Sequence, residues 1–379
     1  MTATLSGVLP ADWREGRWLG RIDRGEGPTP VLLAGGTLFD LTARAASISG
    51  TIERRAFDPG GLESIAELDA EMPQLAEGTA LLSPIDLQCI KAAGVTFAVS
   101  AIERVIEERA RGDSAQAAAI RGRLEARVGQ GIRSVVPGSP EAAQLKSALI
   151  EDGLWSQYLE VAIGPDAEVF TKSAVLSSVG HGAEIGVRSD SSWNNPEPEI
   201  VLVVNSRGEA VGATLGNDVN LRDFEGRSAL LLGKAKDNTA SCSIGPFIRL
   251  FDEHFGMDQV REETIELLIA GEDGYRLEGT NRMAEISRDP ADIASQAMSE
   301  HQYPDGLVLF LGTLFAPTQD RDEPGRGFTH KLGDRVAISS PHLGTLVNTV
   351  TSSRDASPWT MGIAELMRNL ASRGLAERI

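Results

Sequence analysis

Apolar and polar positions change their spacing twice along this chain, and each change predicts a different kind of element. Near the amino terminus, TPVLLAGGTLFDLT carries two apolar, β-rich runs around Gly35-Gly36. Glycine reaches the positive φ that a tight connection needs, so this stretch reads as a hairpin within a small β-containing module over residues 1–80. From Ser100 to about Asp152 the spacing becomes helical. Ile102, Val105 and Ile106 fall on one face, and Pro140-Glu141 opens a second helix, AAQLKSALIEDG. Between Trp155 and Ser353 the runs are short again: EIVLVV, EAVGATL, ETIELLIAG, LVLFLGTLF, RVAISS and LGTLVNTV, separated by Gly, Asn and Asp turns. One helix-like stretch, DPADIASQAMSEHQ, interrupts them, and a final helix is expected near Gly362 to Ser372.

This order predicts an α+β fold, a mixed β-sandwich or roll in place of alternating βαβ units. The expected organisation is a small domain over 1–80 and a larger one over 81–379, with the helical segment at about 100–152. A length of 379 residues is consistent with two domains or one large domain with an appendage. There is no repeat of fixed period and no low-complexity tract.

Charge narrows the function. With 54 acidic against 36 basic side chains, a net charge of -18 would repel a nucleic-acid backbone or an anionic membrane surface. The most apolar run, Leu307 to Pro317, is too short to span a bilayer, and MTATLSGVLPADW has no basic region followed by an apolar core. Cys89 and Cys242 are the only cysteines, which rules out a disulfide framework or a zinc cluster of cysteines; a reducing cytoplasm is the expected location. Cys242 reads as a buried inert thiol.

The sharpest chemical feature is NNPEPEIVLVV, where Glu197 and Glu199 stand two apart at the entrance to an apolar strand. Side chains alternate along a strand, so both carboxylates leave the same face, and they repel unless a cation lies between them. Hard oxygen ligands select Mg²⁺, Mn²⁺ or Ca²⁺ over zinc. Downstream, GNDVNLRDFEGRSALLLGKAKDN delivers Asp218 from a Gly-Asn turn, a third carboxylate for the same cage, followed by Lys236. A lysine there places positive charge beside a bound carboxylate or a developing enolate. His181, in a Gly-His-Gly turn, is a weak ligand candidate, and His330 is read as structural or at the site rim.

Taken together, PEPE, NDVNLRD, the later Lys and Gly-Pro, and a Gly-Thr pair resemble the fumarylacetoacetate hydrolase family over about residues 80–375. The resemblance implies that Glu197, Glu199 and Asp218 hold a divalent metal, that Lys236 is the active-site lysine, and that Gly312 and Thr313 line the site and contact substrate. It departs from the hydrolases at one point. Their Gly-x-Asn-Tyr-x-x-His-x-x-Glu segment supplies a water-activating His/Glu dyad. Here the stretch is GVTFAVSAIE, with Ser100 at the His position and Glu103 retained, and serine cannot act as a general base near neutral pH.

GVTFAVSAIERVIEERARGD, GLWSQYLEVAIGPDAEVFTK, VRSDSSWNNPEPE and GFTHKLGDRVAISSP are closer to a sugar-acid branch of the family whose members dehydrate 2-keto-3-deoxypentonates. By this resemblance Glu168 is the expected proton-transfer group, with Glu103 in reserve, and Lys172, Arg188 and Ser100 join the substrate-binding set. Outside the family context, Lys172 and Arg188 would read as surface partners of carboxylates. The expected activity is a metal-dependent hydro-lyase of the pentose-degrading kind that forms 2,5-dioxopentanoate, assembled as a homodimer or homotetramer. The competing expectations are an acylpyruvate hydrolase or decarboxylase and a silent metal-binding scaffold.

Overall fold

The computed structural model describes residues 4–98, 100–111, 135–151, 153, 155–315, 317, 319–322 and 327–379, without the side chains at 100, 102–104 and 107. Its strands, in chain order, are β1 Arg17–Asp23, β2 Pro28–Ala34, β3 Thr37–Asp40, β4 Glu63–Glu67, β5 Ala80–Leu82, β6 Cys89–Gly94, β7 Glu168–Ser173, β8 Glu184–Val187, β9 Asn194–Asn195, β10 Pro198–Val204, β11 Ala210–Asp218, β12 Asn220–Leu221, β13 Cys242–Leu250, β14 Thr264–Ala270, β15 Arg276–Arg282, β16 Leu307–Phe310, β17 Arg335–Ser340 and β18 Gly344–Ser352. Eleven of them form one sheet in the order β4-β3-β2-β1-β13-β11-β10-β16-β6-β7, with β5 attached to β1. A five-stranded sheet, β15-β14-β17-β18-β8, packs against it, and β12 pairs with β9.

Burial explains the different textures of these strands. Past Glu199, EIVLVV is apolar at every position because β10 is covered on both faces. Ile200, Leu202 and Val204 enter the core between the two sheets, beside Ile265, Leu267, Ile269, Val336 and Ile338. Val201 and Val203 enter a second core with Ile90, Ile244, Val308 and Phe310, under the helix Ile48–Glu53. β18 lies under one layer only and alternates buried with half-buried positions, the period of two expected for a strand with one covered face.

The hairpin reads as expected: Ala34 pairs with Thr37 across Gly35 and Gly36, at φ +58° and +95°, the positive values that a two-residue turn of the primed type requires. The helix in DPADIASQAMSEHQ runs over Pro290–Met298, where Asp289 caps the Ala291 N–H and proline takes the first turn. One sheet crosses the expected boundary at residue 80, since β1 pairs antiparallel with β13. Hydrogen bonding therefore ties the amino-terminal module to the rest and does not set it apart. Of the expected helical segment, Ser100–Arg109 and Pro140–Glu151 form helices, and the first packs Ala101, Val105 and Ile106 against Tyr158, Leu159 and Ala162. Residues 112–134 lie outside the described residues. Among the described residues, no helix is long and apolar enough to cross a membrane.

Candidate active site

Strand geometry assembles the carboxylates. Glu197 directly precedes β10 and Glu199 is its second residue, so the pleat sends both side chains to one face. Pro198 stands opposite Asn217 in the antiparallel register with β11, and the Asp218 N–H donates to the Glu197 carbonyl at 3.0 Å. Asp218 is thereby placed across from Glu197 on the same face. One oxygen from each of the three lies within 4.8 Å of the others, and all three residues are buried. Gly312 closes the group by donating its N–H to Glu199 at 2.6 Å. Its φ of +89° and a would-be Cβ only 2.1 Å from Thr96 Oγ1 leave room for no other residue.

Two lysines answer the three carboxylates. Lys236, at the end of the short helix Leu232–Lys236, donates to Glu197 and lies 3.2 Å from Asp218 Oδ2. Lys172 Nζ lies 2.9 Å from Asp218 Oδ1. Two ammonium groups do not neutralise three carboxylates, and Glu199 bears the difference. Burial first, then the neighbouring Asp218 and Glu197, hold its carboxyl well above the usual range, against the opposing pull of Lys236 and the Gly312 N–H. An all-oxygen set that is buried, converging and short of positive charge has the chemistry that a hard divalent cation fits.

A small cavity opens on these groups, lined also by Gly94, Glu168, Phe170, Glu225, Leu232 and Thr313. Glu168 begins β7 opposite Gly94 of β6. A Cβ at Gly94 would fall 2.1 Å from the Glu168 Oε2, so glycine at 94 makes the space in which that carboxylate stands. The Phe170 ring lies 6.0 Å from Lys236 Nζ.

Seven of the residues expected at the site are thus gathered around one cavity: Glu168, Lys236, Gly312, Thr313 and the three carboxylates. Lys172 and Arg188, expected to touch substrate, are placed otherwise. Lys172 is wholly buried behind Asp218, where the carbonyls of Val219 and Lys236 also accept from it; burial in the wall makes it a tether for the carboxylate. Arg188 pairs with Asp190 at 2.8 Å and Asn238 at 3.2 Å in a neighbouring cavity, because β8 is tied by the Gly186 N–H to the Ala240 carbonyl, past the segment that follows Lys236. Ser100 and Glu103 lie on the helix Ser100–Arg109, but their side chains are outside what is described. Cys242 is buried beside Asp218 and Lys172, and burial pushes its thiol up to about 12, in keeping with an inert role. Glu225 was not anticipated. It sits buried on the single turn Arg222–Glu225 and faces the same cavity; its only signal in the sequence is its place in the segment that delivers Asp218.

Residues 157–351 match the fumarylacetoacetate (FAA) hydrolase C-terminal family. A protein of Haloferax volcanii named "Probable 2-keto-3-deoxyxylonate dehydratase" is 32% identical over 202 residues, which are 53% of this chain and 66% of that protein. The 2-dehydro-3-deoxy-D-arabinonate dehydratase of Saccharolobus solfataricus is 33% identical over 190 residues, 49% of this chain and 59% of the relative. The chain therefore spans somewhat under two thirds of the length of each. Among solved structures, a 2-keto-3-deoxy-D-arabinonate dehydratase complexed with magnesium and 2,5-dioxopentanoate superimposes with a TM-score of 0.63 at 22% identity, over 89% of this chain and 99% of the other. Its apo form gives 0.62 at 21% over the same shares, and both likenesses establish the fold. With more than half of its length matched to that family, the chain belongs to the fumarylacetoacetate hydrolase family.

Proposed function

We propose that this chain is a metal-dependent dehydratase that converts a 2-keto-3-deoxypentonate to 2,5-dioxopentanoate, with Mg²⁺ held by Glu197, Glu199 and Asp218. The observation that carries the reading is the buried three-carboxylate cluster facing a cavity that also holds Glu168 and Lys236. The names of the two curated relatives point to the same substrate class.

The reaction removes a proton from C3 and the hydroxyl from C4 as water, and tautomerisation through C5 leaves the aldehyde. A divalent ion supplies charge that polarises the ketone and acidifies C3. The protein residues do the rest. Glu168, which lines the carboxylate cavity, takes and returns the proton. Lys236 supports the substrate carboxylate and the negative charge that develops beside it. Thr313 hydrogen-bonds substrate oxygens. Gly312 holds Glu199 in place through its N–H. Because no external water acts as nucleophile, the serine at position 100 is compatible with the chemistry. We place the reaction in the cytoplasm, carried out by a homodimer or homotetramer.

The test is turnover of 2-keto-3-deoxy-D-pentonate with Mg²⁺ and with EDTA, the product being read through a coupled NADP-dependent dehydrogenase. Metal-dependent formation of 2,5-dioxopentanoate is expected. No product, together with cleavage of an acylpyruvate, would overturn the proposal in favour of a hydrolase.

A further inference from the structure

A second cavity, of about 740 Å³, lies between β1, β5, the loop 178–183 and the carboxy-terminal stretch 358–361. It shares no lining residue with the carboxylate cavity. Arg21, in the middle of β1, lines it at 6% exposure. Among the described residues, neither Nε nor Nη1 of Arg21 has a hydrogen-bond partner. The two acidic groups whose charge reaches it, Asp86 and Asp23, are engaged elsewhere. Asp86 accepts from the N–H groups of Ile48, Ser49 and Leu87 at 2.5, 3.0 and 2.7 Å. Asp23 Oδ1 accepts from Gly25 and Gly27 at 2.7 and 3.0 Å.

A guanidinium with two of its three nitrogens buried and unpartnered is costly, and native structures keep few such groups without a reason. The setting of Arg21 supplies one. Leu5, Leu176 and Met361 give the cavity apolar walls, and Ser83 and Ser178 add hydroxyls 2.8 Å apart. A pocket of this size with apolar walls and a few convergent polar groups is the usual form of a small-molecule site. The cationic donor calls for an anion, and the apolar walls call for a hydrocarbon body. Asp23, on the same wall, disfavours a doubly charged group such as a phosphate monoester.

We propose that this cavity is a second ligand site, which takes a small organic monocarboxylate with an apolar body and holds its carboxylate on Arg21. The proposal is independent of the chemistry at the carboxylate cluster.

The full-length protein, with EDTA present so that no carboxylate binds through a metal, is titrated calorimetrically with 4-phenylbutyrate and with its neutral amide. Saturable binding of the acid is expected, with the amide weaker by at least ~10-fold, the loss of a hydrogen bond to a charged group. Arg21→Met should lose affinity for the acid by a similar factor while raising the thermal midpoint of the ligand-free protein. Ala80→Trp, which fills the cavity from a half-open strand and leaves Arg21 intact, should also abolish binding. Equal affinity for acid and amide, undiminished binding by Ala80→Trp, or no binding by the wild type up to the solubility of the probe would each overturn the assignment.

Discussion

Asp334 and Glu199 are both buried carboxylates, at 1% and 2% exposure, yet their surroundings drive them in opposite directions. Asp334 receives Arg321 through two N–H···O contacts of 2.5 and 2.7 Å, the Lys331 N–H at 2.9 Å, and His330 Nδ1 at 3.2 Å. Burial alone would raise its pKa, but these donors outweigh it and hold the carboxyl far below the usual range. Glu199 has one backbone donor and two carboxylate neighbours, and burial adds to their effect instead of being overcome. The first cluster satisfies its own charge and stacks Arg321 on Tyr275, 4.6 Å from the ring centroid. The second keeps an excess of negative charge facing a cavity. Matched buried charge belongs to the scaffold, and unmatched buried charge marks a place for a ligand.

Four experiments would break or sharpen that contrast. The largest effect should come from Glu168→Gln at the unmatched site: turnover falls by ~10²- to 10⁴-fold, the range for loss of a general acid or base. Metal-induced thermal stabilisation should persist. Near-normal steady-state kinetics in this variant would move the proton-transfer role to another carboxylate, with Glu225 first in line on its position in the cavity.

At the matched site the damage should fall on stability. Asp334→Asn strands a buried arginine, and chemical denaturation should report a loss of about 3–5 kcal/mol, with turnover per folded molecule preserved. Glu199→Gln should behave the other way. Removing one of three repelling carboxylates leaves the metal-free protein as stable as the wild type or more so. The gain of about 2.7 kcal/mol expected at a metal concentration of ~100 Kd should vanish. If Glu199→Gln destabilised the metal-free protein as much as Asp334→Asn, the two clusters would not differ in the way argued.

The smallest effect is in pH. Asp334 has a lowered folded-state pKa, so it contributes stability that is present above its unfolded value of about 3.9 and is lost as pH falls below that value. His330 acts in the same sense, since burial keeps it neutral in the fold and charging it costs stability as pH drops below about 6.5. Denaturation midpoints of the wild type should fall on acidification more steeply than those of Asp334→Asn. Parallel curves would show that the Arg321 pairing contributes little.

How much of this was legible in the sequence depends on how local each feature is. The hairpin at Gly35-Gly36 and the Asp289 cap are set by residues adjacent in the chain, and the Glu-x-Glu spacing fixes a common face wherever a strand forms. The apolar run of β10 predicts a strand, and the two cores on either side of it account for its burial on both faces. Asp218 was reachable because it ends β11, the next strand in the chain and the partner of β10, although Gly216 and Asn217 are strand residues where the sequence predicts a turn. Lys172 is the opposite case: the resemblance puts it at the substrate, but whether a strand residue looks into a cavity or into a wall depends on strands distant in sequence. The resemblance places Arg188 in the substrate-binding set, whereas β8, which leads into it, belongs to the other sheet.

Glu225 and Arg21 make the same point from the other side. A buried acid in a one-turn helix and an arginine inside an apolar strand are both ordinary in a sequence, and neither carries a motif. The sequence by itself determined the β-rich plan, the acidic character, the Glu-x-Glu carboxylate pair and the family to which the chain belongs, because these depend on residue type and short spacing. Tertiary structure alone decided which charges meet partners and which are left over. Partnership of a buried charge is set by packing between elements far apart along the chain: β1 against β13, β10 against β11, and the Gly312 loop over Glu199.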